Sequence, residues 1–346
     1  MLSIVQDIPD FALSSELDNF VIGSDKTVTF TLKKGSAAIF QETYVPDAQN
    51  RIAILDLSSL IEPQLVAPVL QQFSYSCTAS AETEITKTFT VLLSRYLVPA
   101  TATEFVDNYF LTALAGRDKI TALGRSETLY LTTGAMASGG TTIPVTAECV
   151  FVNDNNNLAV STRSLGSVPD YGIRWVDVSP SKFTLSGYKL LRYTVIAGAR
   201  RQTFRLDHAQ PEAIAFKFRN AFGVMDTLYF VGGEKVEPEL TRSAAYFSGL
   251  YKTYHVDEQR RHTVSTGYLP ESMHRLADDL ARATEVYLID GAREIPVTIV
   301  ESDTARNDAD DGLFAFTVTY ILSSRCQRRL ELLPDIFDDS FDDTYN

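Results

Sequence analysis

The chain has 346 residues, more than one ordinary hydrophobic core accommodates, so two or three domains are expected. Hydrophobic residues make up 45% and charged residues 22%, a globular composition that excludes disorder over most of the length. The net charge of −13 argues against a nucleic-acid-binding face and against docking on an anionic membrane.

Strand signals dominate from the start. Lys26 to Leu32 (KTVTFTL) alternates apolar and polar residues, and Ala37 to Tyr44 (AAIFQETY) continues the pattern. Pro46-Asp47 and Asn50 mark a turn, and Arg51 to Leu57 returns as a strand. Ser58 and Ser59 are expected N-caps of a short helical turn running into Glu62 and Pro63. Phe73 to Ala79 and Ile85 to Leu93 read as a hairpin joined by polar Ser80 to Glu84. The segment Phe105 to Leu111 is aromatic and apolar and fits a strand, a short helix or an interface segment.

Strands resume at Glu127 to Thr132, Thr146 to Val152 and Leu158 to Thr162, the last two joined by an Asn153 to Asn157 loop whose residue types tolerate left-handed backbone. Gly172 to Val178, Lys189 to Ala197 and Gln202 to Leu206 follow. Ala213 to Phe218 and Asp226 to Val231 are strands joined by a tight connection through Asn220 and Gly223. Thr241 to Tyr254 and Arg261 to Ser265 read as two further strands. Glu271 to Ala283 is the one convincing helix, with Met273, Leu276 and Leu280 at helical spacing. Glu285 to Ile289, an Asp290-Gly291 turn, Glu294 to Glu301 and Leu313 to Leu322 complete the strands, and 335–346 is an acidic tail. No repeat of solenoid or propeller period is present.

The polar residues offer little catalytic chemistry. His255 and His262, with Asp257 and Glu258 nearby, lack any HExxH-type spacing and read as surface residues; His208 follows Asp207, an order that would suit an oriented base, and His274 is the fourth histidine. No GxSxG elbow accompanies them. Cys77, Cys149 and Cys326 form no CxxC pair and read as free thiols of a reducing compartment, Cys149 as a buried one within a strand. Asp303, Asp308, Asp310 and Asp311 match a calcium loop in composition only. Gly139-Gly140 opens no helix and is a loop rather than a phosphate cradle. Trp175 is the single tryptophan among 20 Phe and 16 Tyr, and those aromatics are expected to fill β cores and interfaces. No catalytic residue, cofactor or metal is assigned.

Three passages carry a resemblance: Glu42-Thr43-Tyr44-Val45-Pro46-Asp47 followed by Ile52 to Leu57; Phe216-Lys217-Phe218-Arg219-Asn220-Ala221-Phe222-Gly223 with Asp226-Thr227-Leu228-Tyr229-Phe230, preceded by Arg174 to Pro180; and Leu276 to Leu322. Their order resembles structural tail and baseplate proteins of Bacteroidetes phages and prophages. The resemblance implies a virion structural role, oligomeric assembly and other structural subunits as partners; it brings no catalytic residue.

The expectation is therefore a mainly β, multi-domain β-sandwich architecture with one or two short helices: a sandwich over 1–97, a central β domain over 98–200, a β-rich domain over 201–334 and the tail. The expected function is a non-enzymatic structural protein of a phage or prophage tail or baseplate-like assembly, without nucleic-acid binding or membrane insertion. The alternatives are a glycan-binding or adhesive β-sandwich module and a carbohydrate-active enzyme. The N-terminus, MLSIVQDIPD, has neither a basic nor an apolar signal region, so synthesis in the cytoplasm without a signal peptide is expected, with the product in a virion or tail-like particle.

Overall fold

A computed structural model of the chain describes residues 1–17, 19–209, 213–303 and 313–324. Among the described residues strands dominate, in five sheets with three short α-helices, so the molecule is mainly β with several packed sheets. Asp308, Asp310, Asp311, Cys326 and the tail 335–346 lie outside the described residues.

The first part contains β1 (Ser3–Gln6), β2 (Phe11–Leu13), β3 (Phe20–Gly23), β4 (Val28–Lys34), β5 (Ala37–Tyr44), β6 (Arg51–Ile54), α1 (Leu57–Ile61), β7 (Leu70–Ala79) and β8 (Ile85–Leu92). Two sheets, β1-β3-β6 and β2-β8-β7-β4-β5, share one core. Alternation along β4 sends Val28, Phe30 and Leu32 inward, where Phe30 meets Phe20 and Tyr75 with ring centroids 5.5 and 6.1 Å away. The N-cap of α1 is Asp56, at φ 54°, and not Ser58 or Ser59. Those serines lie in the first turn, where Ser58 Oγ donates to the Asp56 carboxylate and Ser59 Oγ to the Asp56 carbonyl. A short Asp side chain tolerates the left-handed backbone needed to enter the helix abruptly.

The Phe105 to Leu111 segment resolves as α2 (Ala102–Asn108) plus a turn. A capping box starts the helix: Thr101 Oγ1 accepts from the Glu104 N–H, and the Glu104 carboxylate accepts from the Thr101 N–H at 3.0 Å. β9 (Lys119–Thr121), β10 (Thr128–Leu131), β11 (Thr142–Val152), β12 (Leu158–Pro169), β13 (Arg174–Asp177), β14 (Lys189–Ala197) and β15 (Arg200–Leu206) follow. They form a sheet in the order β12-β11-β14-β15-β9, with the pair β10-β13 as a second layer. Phe151, Tyr193 and Phe204 fill the core of this part, with Tyr193 stacked on Phe204 at 4.8 Å. The Asn153 to Asn157 loop turns with Asn156 at φ 60° while the Asn153 side chain accepts from the N–H groups of Asn155 and Asn157.

The last part comprises β16 (Ile214–Arg219), β17 (Met225–Phe230), β18 (Lys235–Phe247), β19 (Leu250–Pro270), α3 (His274–Arg282), β20 (Val286–Asp290), β21 (Arg293–Asp303) and β22 (Leu313–Leu322). Seven strands form one sheet in the order β17-β16-β20-β21-β22-β19-β18. α3 buries Leu276, Ala277 and Leu280 in the same core as Phe216, Phe218 and Phe316. In the β16-β17 connection the Asn220 side-chain oxygen accepts from the N–H groups of Phe222 and Val224, and Gly223 sits at φ +73°.

One strand expectation fails here. Thr241 to Tyr254 is not a single strand, because the chain reverses at Ser248-Gly249, both at positive φ. Ser-Gly is a turn dipeptide, but apolar residues on both sides (Tyr246, Phe247, Leu250, Tyr251) obscure it as a break. The result is a hairpin of 13- and 21-residue strands.

Three hydrophobic clusters underlie the three parts, and one short stretch ties them together. Ala102, Phe105, Val106 and Leu111 belong to the first cluster, Phe110 to the middle one and Leu114 to the last. Phe222 and Val224, from the β16-β17 connection, reach back into the first.

Candidate interaction surface

β19 runs past the body of the sheet. Its residues His262 to Pro270 pair with β22, whereas Leu250 to Arg261 pair with β18 alone. The outer dozen residues therefore form a two-stranded ribbon about 40 Å long, at ~3.4 Å per residue.

Side chains directly opposed in an antiparallel pair share a face, and faces alternate along each strand. Val264 is buried in the core opposite Val318 and defines the inward face. Following that face outward places on it the opposed pairs Val236 and His262, Leu240 and Glu258, Arg242 and Val256, Ala244 and Thr253, and Tyr246 and Tyr251. The other face carries Lys235, Glu237, Glu239, Thr241, Asp257, Gln259 and Arg261, with Phe247 and Leu250 at the tip. This is the alternation of a half-buried strand pair, yet the apolar side is open. Tyr246 is 65% and Tyr251 80% exposed, and Val236, Leu240 and Val256 are exposed as well. Tyr246 and Tyr251 hold each other edge to face with centroids 5.1 Å apart.

The root of the ribbon is fixed firmly. The Glu234 carboxylate accepts from the Tyr320 hydroxyl and engages His262 Nδ1 at 2.9 Å, and the His262 ring stacks on Tyr320 at 5.0 Å. Thr263 and Thr319 hydroxyls bond across β19 and β22 at 3.0 Å. Arg261 pairs with Glu301 at 3.1 Å. Beside this anchor lies a pocket of about 350 Å³ lined by Ile214, Val236, Leu288 and Leu322 together with Glu234, Arg260 and His262. A wider open groove, about 770 Å³, runs along the outer face of β16 and β17 past Lys217, Tyr229 and Glu294.

The histidines considered from sequence do not converge. His255 and His262 lie seven residues apart on β19 with no bulge between them, so they point to opposite faces and share no ligand. His255 contacts Asp257 at 2.9 Å on the exposed ribbon, His208 is exposed, and His274 lies 3.7 Å from Asp278 on α3. Among the described residues no three His, Cys, Asp or Glu side chains gather as metal ligands. Cys77 and Cys149 are buried, and burial pushes their thiols up to about 12 and about 11, the range of inert thiols. Trp175 stands 63% exposed on β13, opposite Tyr130.

Sequence reasoning missed two buried polar clusters where the parts meet. Lys119 Nζ lies 2.7 Å from Glu127 and 3.4 Å from Asp226, and Thr112 Oγ1 donates to Asp226 at 2.7 Å, all of them buried. Burial opposes the Lys119 charge, but the two carboxylates outweigh it and raise its pKa. Asp279, on α3, accepts from the Tyr96 hydroxyl at 2.6 Å and from the Ala221 N–H at 3.3 Å, and burial pushes its carboxyl up to about 6. These groups sit up to 183 positions apart in the chain, so no local pattern announces them. Each joins one part to another, and their partners are fixed structural groups.

The fold and this surface define a class: a multi-sheet β protein with an overhanging amphipathic ribbon. No family model matches the sequence, and no curated protein matches it. Among solved structures it is similar to one from a 1.5-MDa bacterial ice-binding adhesin, studied for host cell surface retention, at 9% identity over 77% of this chain and 91% of the other, TM-score 0.16. It is also similar to SGBP-B of the Bacteroides ovatus mixed-linkage glucan utilization locus, solved with a mixed-linkage heptasaccharide, at 12% identity over 93% and 98%, TM-score 0.15. Scores this low do not establish a common fold. Among the described residues no helix is long and apolar enough to cross a membrane.

Proposed function

We propose that this protein is a non-enzymatic structural subunit that works through protein–protein contacts in a multi-subunit assembly of the phage or prophage tail and baseplate kind. The observation that carries the reading is the ribbon: its inward face is patterned for burial, and nothing among the described residues buries it. An isolated two-stranded hairpin is marginal in water, and an exposed apolar patch of this extent marks an interaction site. The resemblance of the Phe216 to Phe230 segment to phage tail proteins supports the choice of assembly.

The test is co-expression with the products of neighbouring genes, followed by negative-stain microscopy and pull-down. The expected result is a ring or larger particle containing this chain, lost when residues 237–261 are replaced by a short Gly-Ser link. Capture of no neighbour by the intact chain would refute the reading.

A second reading, a glycan-binding or adhesive module, is favoured by one observation: Trp175 offers an exposed indole face of the sort that stacks on sugar rings. Binding on a glycan array that Trp175→Ala abolishes is its expected signature, and an array without hits removes it.

A further inference from the structure

We propose that the ribbon's inward face docks on the same face of a second copy of this chain, making a two-fold dimer of packed ribbons; the inference rests on the proposed assembly role and names the first partner in it.

Three observations select a second copy. First, the face is a continuation of a core. Val236, Leu240, Val256, Tyr246 and Tyr251 extend the row that contains buried Val264, so the surface that best completes them is another apolar strand-pair face at the ~10 Å spacing of packed sheets. Second, the charges on this face are self-complementary. Arg242 and Arg260 share it with Glu258, and the 2.6 Å Arg260–Glu258 pair shows that the acid already works there as an arginine partner. In an antiparallel, two-fold arrangement Arg242 of each copy is brought towards Glu258 of the other, a contact made twice by symmetry. A strongly acidic partner would instead oppose Glu258, and a strongly basic one Arg242 and Arg260. Third, the area suffices. Tyr246 and Tyr251 present on the order of 300 Å² between them at the exposure they have. With Val236, Leu240, Arg242 and Val256 added at their exposures, the face reaches on the order of 600 Å², the lower end of the range per partner for a specific interface.

The free edge of β18 points away from edge-to-edge pairing as the mode. Pro238 removes an N–H, and the extra residue Tyr254 on β19, opposite Ser243 and Ala244, makes a bulge that increases the local twist of the ribbon. Face-to-face packing needs neither edge.

The test is sedimentation equilibrium of the full chain from 1 to 100 µM. The expected result is a monomer–dimer equilibrium for the wild type, weakened at least 100-fold by Tyr246→Ser with Tyr251→Ser, and unchanged by Glu239→Gln with Gln259→Ser on the other face. The Arg242→Glu and Glu258→Arg variants are each expected to weaken the dimer about 10-fold or more, and an equimolar mixture of the two to recover part of that loss. Circular dichroism melts confirm that the variants fold. A monomer at 100 µM, or equal disruption by the other-face pair, overturns the proposal. A monomeric wild type that still captures a neighbouring subunit through residues 237–261 sinks the dimer and leaves the assembly role standing; a dimer that no neighbour binds does the reverse.

Discussion

Lys119 carries two buried carboxylates at once, so its charge neutralises a cluster that water does not reach. Removing one partner of a buried ion pair leaves uncompensated charge and costs about 3–5 kcal/mol. Lys119→Met is expected to lose that much at pH 8 in urea titrations, and less towards pH 5 as Glu127, whose carboxyl is raised by burial, takes up a proton. A loss independent of pH would show that packing, not charge, is at stake. Asp279 gives the opposite sign. Its carboxyl is raised from near 4 to about 6, so between those values the native state holds a proton that the unfolded chain has released. Its contribution is favourable below pH 4 and is lost as pH rises through 6, by on the order of 2–3 kcal/mol. Urea midpoints measured from pH 4 to 7.5 are expected to flatten in Asp279→Asn relative to wild type; superimposable curves would count against the assignment. At Gly223 a Cβ would stand 2.5 Å from Val69 Cγ1 and 2.9 Å from Leu93 Cδ2, with φ at +73°. Left-handed strain and overpacking together put Gly223→Ala at about 2–4 kcal/mol of destabilisation, readable as a lowered melting temperature.

Among the elements, the ribbon is expected to be energetically separate from the body. It contributes no residue from 237 to 261 to any of the three cores. Replacing those residues with a Gly-Ser link is expected to move the melting temperature of the monomer by less than ~2 °C, since surface changes of this kind remove little native packing. How much of this was legible in the sequence depended on whether the cause was local. Strands such as β4 and β22 announce themselves by period-two alternation, and the Asn153 and Asn220 connections by residues that fit their backbone. α2 had a local signal as well, Thr101-x-x-Glu104, hidden by the aromatic residues behind it. The hairpin was half legible: its alternation is plain once Ser248-Gly249 is taken as the turn, but its exposure is not, because an apolar strand reads the same whether or not something covers it. The Lys119 and Asp279 clusters are set by tertiary placement alone.

For the molecule as a whole, the three parts are stitched rather than strung. Within about a dozen residues the chain supplies side chains to all three cores, and Phe222 returns from the third part to stack on Phe105 at 5.1 Å and meet Tyr96 at 5.8 Å. One cooperative calorimetric transition is therefore expected for the wild type in spite of its three clusters. Phe222→Ala is expected to cost about 3–5 kcal/mol, as for other buried aromatics, and to split the endotherm in two. Two resolved transitions in the unmodified protein would contradict this coupling.

The proline and charges along β18, with the bulge opposite them on β19, have a consequence for growth of any assembly. A bare hydrogen-bonding rim invites strand after strand, and the product has no natural end. Here lateral addition is discouraged along the rim while one broad side stays apolar and exposed. In the proposed dimer, stacking on that side would consume it, so each encounter would use up the valency that produced it, and growth would stop at a closed particle rather than run on as a fibre.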